Sequence, residues 1–346
     1  LDALKQGISA GVYTPGTRLP TELELTSQFN VSRPTAARAL NELERLGLVE
    51  RIAGSGSYVK KPAYASKALQ GKVLGLLIPG LGSTEIFEPI CGSMAACAEE
   101  AGCTLLWRGC DGGSVEQLAS RYVQQQVDGV FFAPLELVED KESVNARMLD
   151  AFDKAGIPVV LLDRDAVPYP KHTAHDLVGL DNVQAALIIA THLLGQGCSR
   201  IHFLARPFAA PTLEERLSGY WAALLQAGIT PERAWVHQAV PDSPALIKEL
   251  LKAKAEAVIC SNDANAVAFM GALEKAGLSL PKDIKVAGFD DVSYAKHVKT
   301  PLTTIQQPCA EIGMAAFDAM MSRLANPKLP PRTIRLAGSL IIRKST

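Results

Sequence analysis

Apolar and polar positions follow two different rhythms along this chain. Up to about residue 61, apolar residues recur at helical spacing and are broken by turn residues, which predicts three short helices and then a hairpin. From residue 72 the pattern becomes short, predominantly apolar runs alternating with amphipathic segments. The runs lie at 73–78, 130–133, 159–162, 201–204, 257–260 and 284–287. Segments at 86–101, 182–195, 213–227 and 264–276 have helical period and are long enough to carry a parallel crossover. Strands buried on both faces read in this way, so the larger part is expected to be α/β, with parallel strands in one doubly wound sheet or in two sheets side by side. The stretch 62–71 mixes small, polar and chain-breaking residues and has no apolar face. It is expected to be a linker between a module at 1–61 and a domain at 72–346.

Composition narrows the class. The chain has 346 residues, 48% hydrophobic and 21% charged, which suits a globular protein of two or three units. No apolar run approaches the roughly 20 residues needed to span a bilayer. The first residues show no basic segment followed by an apolar stretch, so export is not expected and the cytoplasm is the expected compartment. Seven cysteines, an odd number, form no CxxC pair; they are expected to be core residues in a reducing compartment, without metal. The net charge of −1 hides a local surplus, with eight Lys and Arg against six Asp and Glu in residues 1–61.

Ser32 suits a helix N-cap, with Pro34 tolerated in the first turn behind it. Ala36, Leu40 and Leu43 then share one face, which leaves Arg33, Thr35 and Arg38 on the exposed side. A surface arginine alone is ordinarily only solvated. Residues 48–52 and 57–60 form a natural hairpin around Ala53-Gly54-Ser55-Gly56, whose glycines permit a tight turn. The ordered set Pro15-Gly16, Arg18-Leu19-Pro20-Thr21-Glu22, Leu25, Val31-Ser32-Arg33, Gly47-Leu48 and Gly54-Ser55-Gly56-Ser57-Tyr58-Val59 closely resembles the GntR family of winged-helix regulators. The resemblance implies DNA contacts from Arg18, Thr21, Ser32, Arg33, Pro34, Thr35 and Arg38, and from a wing formed by Gly54, Ser55, Gly56 and Ser57. Leu23 and Ala37 stand where many relatives carry arginine, and the first helix starts later than is usual in that family.

In the larger domain, polar residues follow the apolar runs: Asp163 and Arg164, Arg206, Asn262 and Asp263, Asp290, and Gln307. Parallel sheets bind ligands at the carboxyl ends of their strands, so these groups are expected to converge on one cleft. Carboxylates and amides suit hydroxyl groups, and arginine offers a planar fork for vicinal hydroxyls or an anion. Asp290, Asp291 and Asn262 also suit helix caps, and Phe87 also suits the core. His172 and His175, three apart just after Pro168 and Pro170, are expected in a solvated loop. The phrases Leu74-Gly75-Leu76-Leu77-Ile78-Pro79, Val127-Asp128-Gly129-Val130, Ser261-Asn262-Asp263 and Val286-Ala287-Gly288-Phe289-Asp290-Asp291 resemble the LacI and GalR type of effector domain. More distantly they resemble the type I periplasmic sugar-binding proteins, which are two-lobed. That resemblance implies a pocket including Arg164, Arg216, Asn262, Asp290 and Gln307, with Phe87 or its neighbours near an apolar ring face; Glu85 or Ser83 in the same loop stays open as the ligand contact in place of Phe87.

No nucleophile–base pair, metal cluster or phosphate loop is present; Gly109-Cys110-Asp111-Gly112-Gly113 does not fit the last of these. An enzyme is therefore not expected, and a transport-type binding protein has no use for a winged helix. The combined reading is a repressor that binds operator DNA as a homodimer, with half-sites roughly 34–36 Å apart. It is expected to respond to a small polar effector of sugar type, with no cofactor. A nucleoside or acidic metabolite, or an effector acting as co-repressor, stays open at this level.

Overall fold

The computed structural model describes residues 1–9, 13, 17–45, 48–52, 55–59, 70–79, 85–107 and 115–346. It divides into two compact units, Leu1–Ala68 and Leu69–Thr346. Of the expected linker 62–71, only the last two residues lie within the described residues.

The smaller unit contains α1 (Asp2–Ser9), α2 (Glu22–Phe29), α3 (Arg33–Arg45) and a hairpin of β1 (Val49–Ile52) and β2 (Gly56–Val59). Its core is Leu4, Leu19, Leu25, Ala36, Leu40, Leu43, Val49 and Val59, so the apolar stripe read along α3 faces inward. Helix α2 begins at a capping box: Thr21 Oγ1 accepts from Glu24 N at 3.3 Å, and the Glu24 carboxylate accepts from Thr21 N at 2.7 Å. It ends at Asn30, whose left-handed backbone (φ 49°) turns the chain toward α3. The hairpin is antiparallel, with Val49 opposite Val59 and Ile52 opposite Gly56.

The larger unit has two six-stranded sheets side by side, which resolves the choice left open by the sequence. One lobe holds β3 (Val73–Leu77), β4 (Thr104–Trp107), β5 (Gly129–Phe132), β6 (Val159–Leu162), β7 (Asp176–Leu180) and, from far downstream, β13 (Thr333–Leu336). The order is β13-β7-β6-β5-β3-β4, parallel throughout. The other lobe holds β8 (Ile201–Ala205), β9 (Val236–Gln238), β10 (Ala257–Cys260), β11 (Lys285–Asp290), β12 (Thr303–Gln306) and β14 (Ser339–Ile341). Its order is β14-β12-β11-β10-β8-β9, and only the β12–β14 pair is antiparallel.

Helices cover the sheets. The first lobe carries α4 (Phe87–Ala101), α5 (Val115–Gln124), α6 (Lys141–Lys154) and α11 (Cys309–Ala325); the second carries α7 (Asn182–Gly195), α8 (Thr212–Gln226), α9 (Pro244–Lys252) and α10 (Asp263–Lys275). Helices α7 and α8 pack at backbone contact, because a Cβ on Gly219 would sit 2.0 Å from Val183 O. The chain passes between lobes three times: after Leu180, after Gln306 and after Leu336. Gly338 lies where these passages meet, since a Cβ there would come within 2.7 Å of Ile305, 2.9 Å of Leu180 and 3.0 Å of Gln306 O. Three closely bundled connections allow the lobes to pivot while keeping register.

No helix among the described residues is long and apolar enough to cross a membrane.

Candidate functional site

On the smaller unit, α3 presents Arg33, Pro34, Thr35 and Arg38 to solvent, and Ser32 precedes them, also exposed. The Ser32 and Thr35 hydroxyls lie 2.8 Å apart, and Ser32 O accepts from Ala36 N at 3.1 Å. Arg33, with 76% of its side chain exposed, reaches back to Glu22 at 3.2 Å. Glu22 also holds Arg51 of β1 at 3.1 Å, so one carboxylate ties the start of α3 to the hairpin. Those guanidinium hydrogen bonds hold the Glu22 carboxyl below its ordinary range.

Three of the expected DNA contacts also have partners or packing within the unit itself. The Thr21 hydroxyl is committed to the cap of α2, donating to Glu24 at 2.9 Å as well as accepting from it. Ser57 is buried, paired with Arg51 across the hairpin, and its carbonyl accepts from Leu19 N at 2.8 Å; it supports the wing from beneath. Arg18 is exposed and lies over Gly56, where a Cβ would sit 2.6 Å from its Nε. Ser55 and Gly56 are half-buried, Ser55 Oγ lies 2.6 Å from the Tyr58 hydroxyl, and Gly54 lies outside the described residues.

In the larger unit, a cleft of about 420 Å³ opens between the lobes. Small-molecule sites span roughly 300–1,000 Å³, so this one suits a small ligand. Its walls are the carboxyl ends of β5, β6, β8, β10, β11 and β12 with the first turns of α4, α8 and α10. Eight expected residues come together there: Phe87, Asp163, Arg164, Arg206, Arg216, Asn262, Asp290 and Gln307.

Arg164 is buried at 6% exposure with its Nη1 against the Glu136 carboxylate, and its Nε lies 3.5 Å from Asp163 Oδ2. Its guanidinium carbon stands 5.7 Å from the Phe87 ring, so Phe87 is at once core aromatic and cleft wall. Arg216 lies over Phe289 at 4.3 Å, donates to Asn182 Oδ1 at 2.8 Å and caps the Ser261 carbonyl. Asn182 in turn donates to Glu215, which also holds Arg335 at 2.6 Å. Gln307 donates to Asp290 at 2.7 Å. Asn262 accepts from Asn265 N at 2.8 Å as the cap of α10 and also lines the cleft. Arg206 stands exposed at the rim.

Burial pushes the Asp163 carboxyl up, against the pull of Arg164 and Arg216. Burial likewise brings Asp290 up to about 7; Arg216 and Gln307 oppose this, while Asp163 and Glu136 add to it. Two buried polar atoms of the wall have no hydrogen-bond partner among the described residues: the donor Arg164 Nε and the acceptor Gln307 Oε1.

Two expected ligand residues lie elsewhere. Asp263 is fully buried behind the wall, accepting from Thr304 Oγ1 at 2.6 Å and Val292 N at 3.2 Å; its carboxylate joins α10 to β12. Glu85 accepts from Ser293 N at 2.6 Å and so ties one lobe to the other instead of lining the cleft. Ser83 lies outside the described residues. His172 is half-exposed in a loop, 3.3 Å from Asp165, while His175 is mostly buried near Asp153. No cluster of potential metal ligands is present among the described residues.

Sequence reasoning missed Glu136, Ser261 and Asn265, all in the wall. Glu136 follows the apolar run 130–133 as Asp163 follows 159–162, so the strand-end rule applied to every run finds it.

Comparison with known proteins agrees with this geometry. Residues 1–59 match the bacterial regulatory proteins of the gntR family, and residues 190–346 match the periplasmic binding protein-like domain. The chain is 25% identical over 350 residues to an arabinose metabolism transcriptional repressor of Geobacillus stearothermophilus, an alignment covering 97% of this chain and 92% of that protein. It is 27% identical over 281 residues to the HTH-type transcriptional repressor PurR of Photobacterium profundum, covering 79% of this chain and 81% of the relative. Among solved structures, a transcriptional regulator CelR–cellobiose complex superposes with a TM-score of 0.67 at 23% identity, over 95% of this chain and all of that one.

Proposed function

We infer that this chain, a gntR-type DNA-binding module joined to a periplasmic-binding-protein-like domain, is a transcription repressor whose cleft takes a small, neutral, polyhydroxylated effector of sugar type. The observation that carries the ligand class is a pair of buried cleft atoms without a hydrogen-bond partner among the described residues, one on each lobe. Hydroxyl groups can both accept, as Arg164 Nε requires, and donate, as Gln307 Oε1 requires, and a buried polar atom left unmatched costs about 1–3 kcal/mol. Sugars offer several such hydroxyls. Asp163, Asp290 and the free amide of Asn262 accept or donate to the others, and Phe87 covers an apolar ring face. The named role of the Geobacillus relative in arabinose metabolism points the same way.

Arg33, Thr35 and Arg38, with the tip of the hairpin, are assigned to DNA, the arginines reaching phosphates or a guanine edge. Ligand bridging Arg164 of one lobe and Gln307 of the other favours the approached lobes, and a homodimer converts that bias into a changed spacing of its two DNA modules. Release of operator by the effector follows if the approached state spaces the modules badly.

The test is a thermal-shift panel of monosaccharides on the full chain, because a ligand bound only by the folded state raises its melting temperature. A hit is expected among neutral sugars, should vanish in Gln307→Leu, and should weaken retention of DNA from upstream of the protein's own gene. A full panel without a shift overturns the sugar assignment and leaves the DNA-binding assignment standing.

A further inference from the structure

Glu136 is held more tightly than its place in a loop suggests. The residue before it is clamped by the buried Asn145, which accepts from Leu135 N at 2.8 Å and donates to Leu135 O at 3.2 Å. The residue after it, Leu137, has a left-handed backbone (φ 60°) and donates from its N to Phe208 O of the other lobe at 2.8 Å. Between these anchors the Glu136 carboxylate meets Arg164 Nη1, in a wall where Arg164 is 6% exposed. Left-handed backbone in a leucine is unfavourable and persists where surroundings enforce it.

The charges around this carboxylate decide what the cleft can accept. Its lining holds three carboxylates, Glu136, Asp163 and Asp290, and three guanidinium groups, Arg164, Arg206 and Arg216. Arg164 stands between Glu136 and Asp163, so its charge is matched from two sides. Arg216 is spent on Asn182, the Ser261 carbonyl and the Phe289 face. Arg206 is at the rim in water, where its field is screened. Among the described lining residues an anion therefore meets no free buried cation, and it faces Glu136 together with the carboxyls of Asp163 and Asp290 in a poorly solvated space.

We propose that Glu136 sets the charge selectivity of the cleft: by occupying Arg164 it makes that arginine a donor to neutral hydroxyls and turns away carboxylate- and phosphate-bearing ligands. This deepens the effector assignment and rests on it. Replacing Glu136 by a neutral residue frees one fork of Arg164 and adds a positive charge to the wall, so anions gain and neutral polyols do not.

The experiment compares the full chain with Glu136→Gln and Glu136→Asp by thermal shift and calorimetric titration. Probes are inorganic phosphate against chloride at equal ionic strength, and the ring-matched pairs D-glucose with D-glucuronate and L-arabinose with D-galacturonate. In the wild-type chain and Glu136→Asp, anions give no shift beyond chloride. In Glu136→Gln, phosphate and the uronates bind at least about tenfold more tightly than in the wild type. Equal response of wild type and Glu136→Gln to the anions, whether strong or absent, overturns the proposal. Should the amide variant not fold, Glu136→Ser carries the same comparison. A failure of both neutral sugars to bind any variant counts against those sugars as effectors, while the phosphate arm still decides the role of Glu136.

Discussion

Removing the Arg164 guanidinium gives the sharpest test of how the cleft is built. In Arg164→Met the apolar stem stays on Phe87 while two ion pairs disappear, with Glu136 and with Asp163. Truncating one side of a buried ion pair costs roughly 3–5 kcal/mol, because the other side is left desolvated. Glu136 retains 27% exposure and turns partly to water, which discounts its share. Asp163 is buried and has no such escape, so the expected loss is about 3 kcal/mol at neutral pH. Asp163 then rises further above its unfolded value of 3.8. A carboxyl raised in the folded state weakens folding at pH above its folded value, and the penalty fades as pH falls toward the unfolded one. The variant should therefore lose more stability at pH 8 than at pH 5.

The readout exists in the chain. Trp107, Trp221 and Trp235 all lie in the larger unit, so tryptophan fluorescence during urea denaturation follows that unit alone. Adding Glu136→Gln to Arg164→Met should restore at most about 1 kcal/mol, since the partly exposed Glu136 carries the smaller share and Asp163 stays stranded, and the cycle isolates the coupling of Arg164 with Glu136. A loss below about 1 kcal/mol, or one that grows toward acid pH, refutes the account of Arg164 as a doubly compensated buried charge.

Four further outcomes are expected. Arg33→Ala should weaken binding to DNA from upstream of the protein's own gene by about 1–3 kcal/mol and flatten its salt dependence, read by fluorescence anisotropy. Gly219→Ala should cost about 3 kcal/mol or abolish the soluble fold, since its Cβ falls 2.0 Å from Val183 O and neither helix can yield alone. Asp290→Asn should gain stability over the wild type as pH rises from the unfolded value of 3.8 through about 7, because the wild-type carboxyl, raised by burial, is harder to ionise folded than unfolded. Lys141 bonds the Phe208 carbonyl of the opposite lobe at 2.8 Å and also reaches Ala209 O, so Lys141→Met should weaken effector binding about tenfold without touching the ligand, as calorimetry would show.

Which strands were readable depends on where they sit in the sheets. Strands β3, β5, β6, β8, β10 and β11 are interior, covered on both faces, and each appears in the sequence as a largely apolar run, broken only by His202 in β8 and Lys285 at the start of β11. Edge strands β4 and β9 have one side toward solvent, and β9 is three residues long, so neither leaves a run. Strand β7 hides for another reason. It is buried throughout but contains Asp176 and Gly179. Asp176 is tolerated because Arg323 and Arg332, about 150 residues downstream, close on its carboxylate at 3.0 and 3.2 Å. Gly179 is required because a Cβ would lie 2.7 Å from Asp163 O. Both reasons are tertiary, and no local window contains them.

The cleft was legible by the same logic, and its errors share one cause. A polar residue at the end of a buried strand is also beside the first turn of the next helix, and from sequence those two positions look alike. Asn262 serves both, capping α10 through one atom while its side chain lines the cleft. Asp263, one residue further, points the other way, where Gly288 leaves space for its carboxylate: a Cβ there would lie 2.3 Å from Asp263 Oδ1. The Thr304 hydroxyl that fixes this orientation is 41 positions away. Glu136 is the complementary case, a strand-end carboxylate whose value comes from Arg164, itself at the end of the neighbouring strand. Strand order, which makes β5 and β6 adjacent, converts two separate polar residues into one compensated pair. The residue types a parallel sheet offers at its carboxyl edge can thus be read from sequence, whereas their charge balance, and so the ligand they accept, is set by which strands lie side by side.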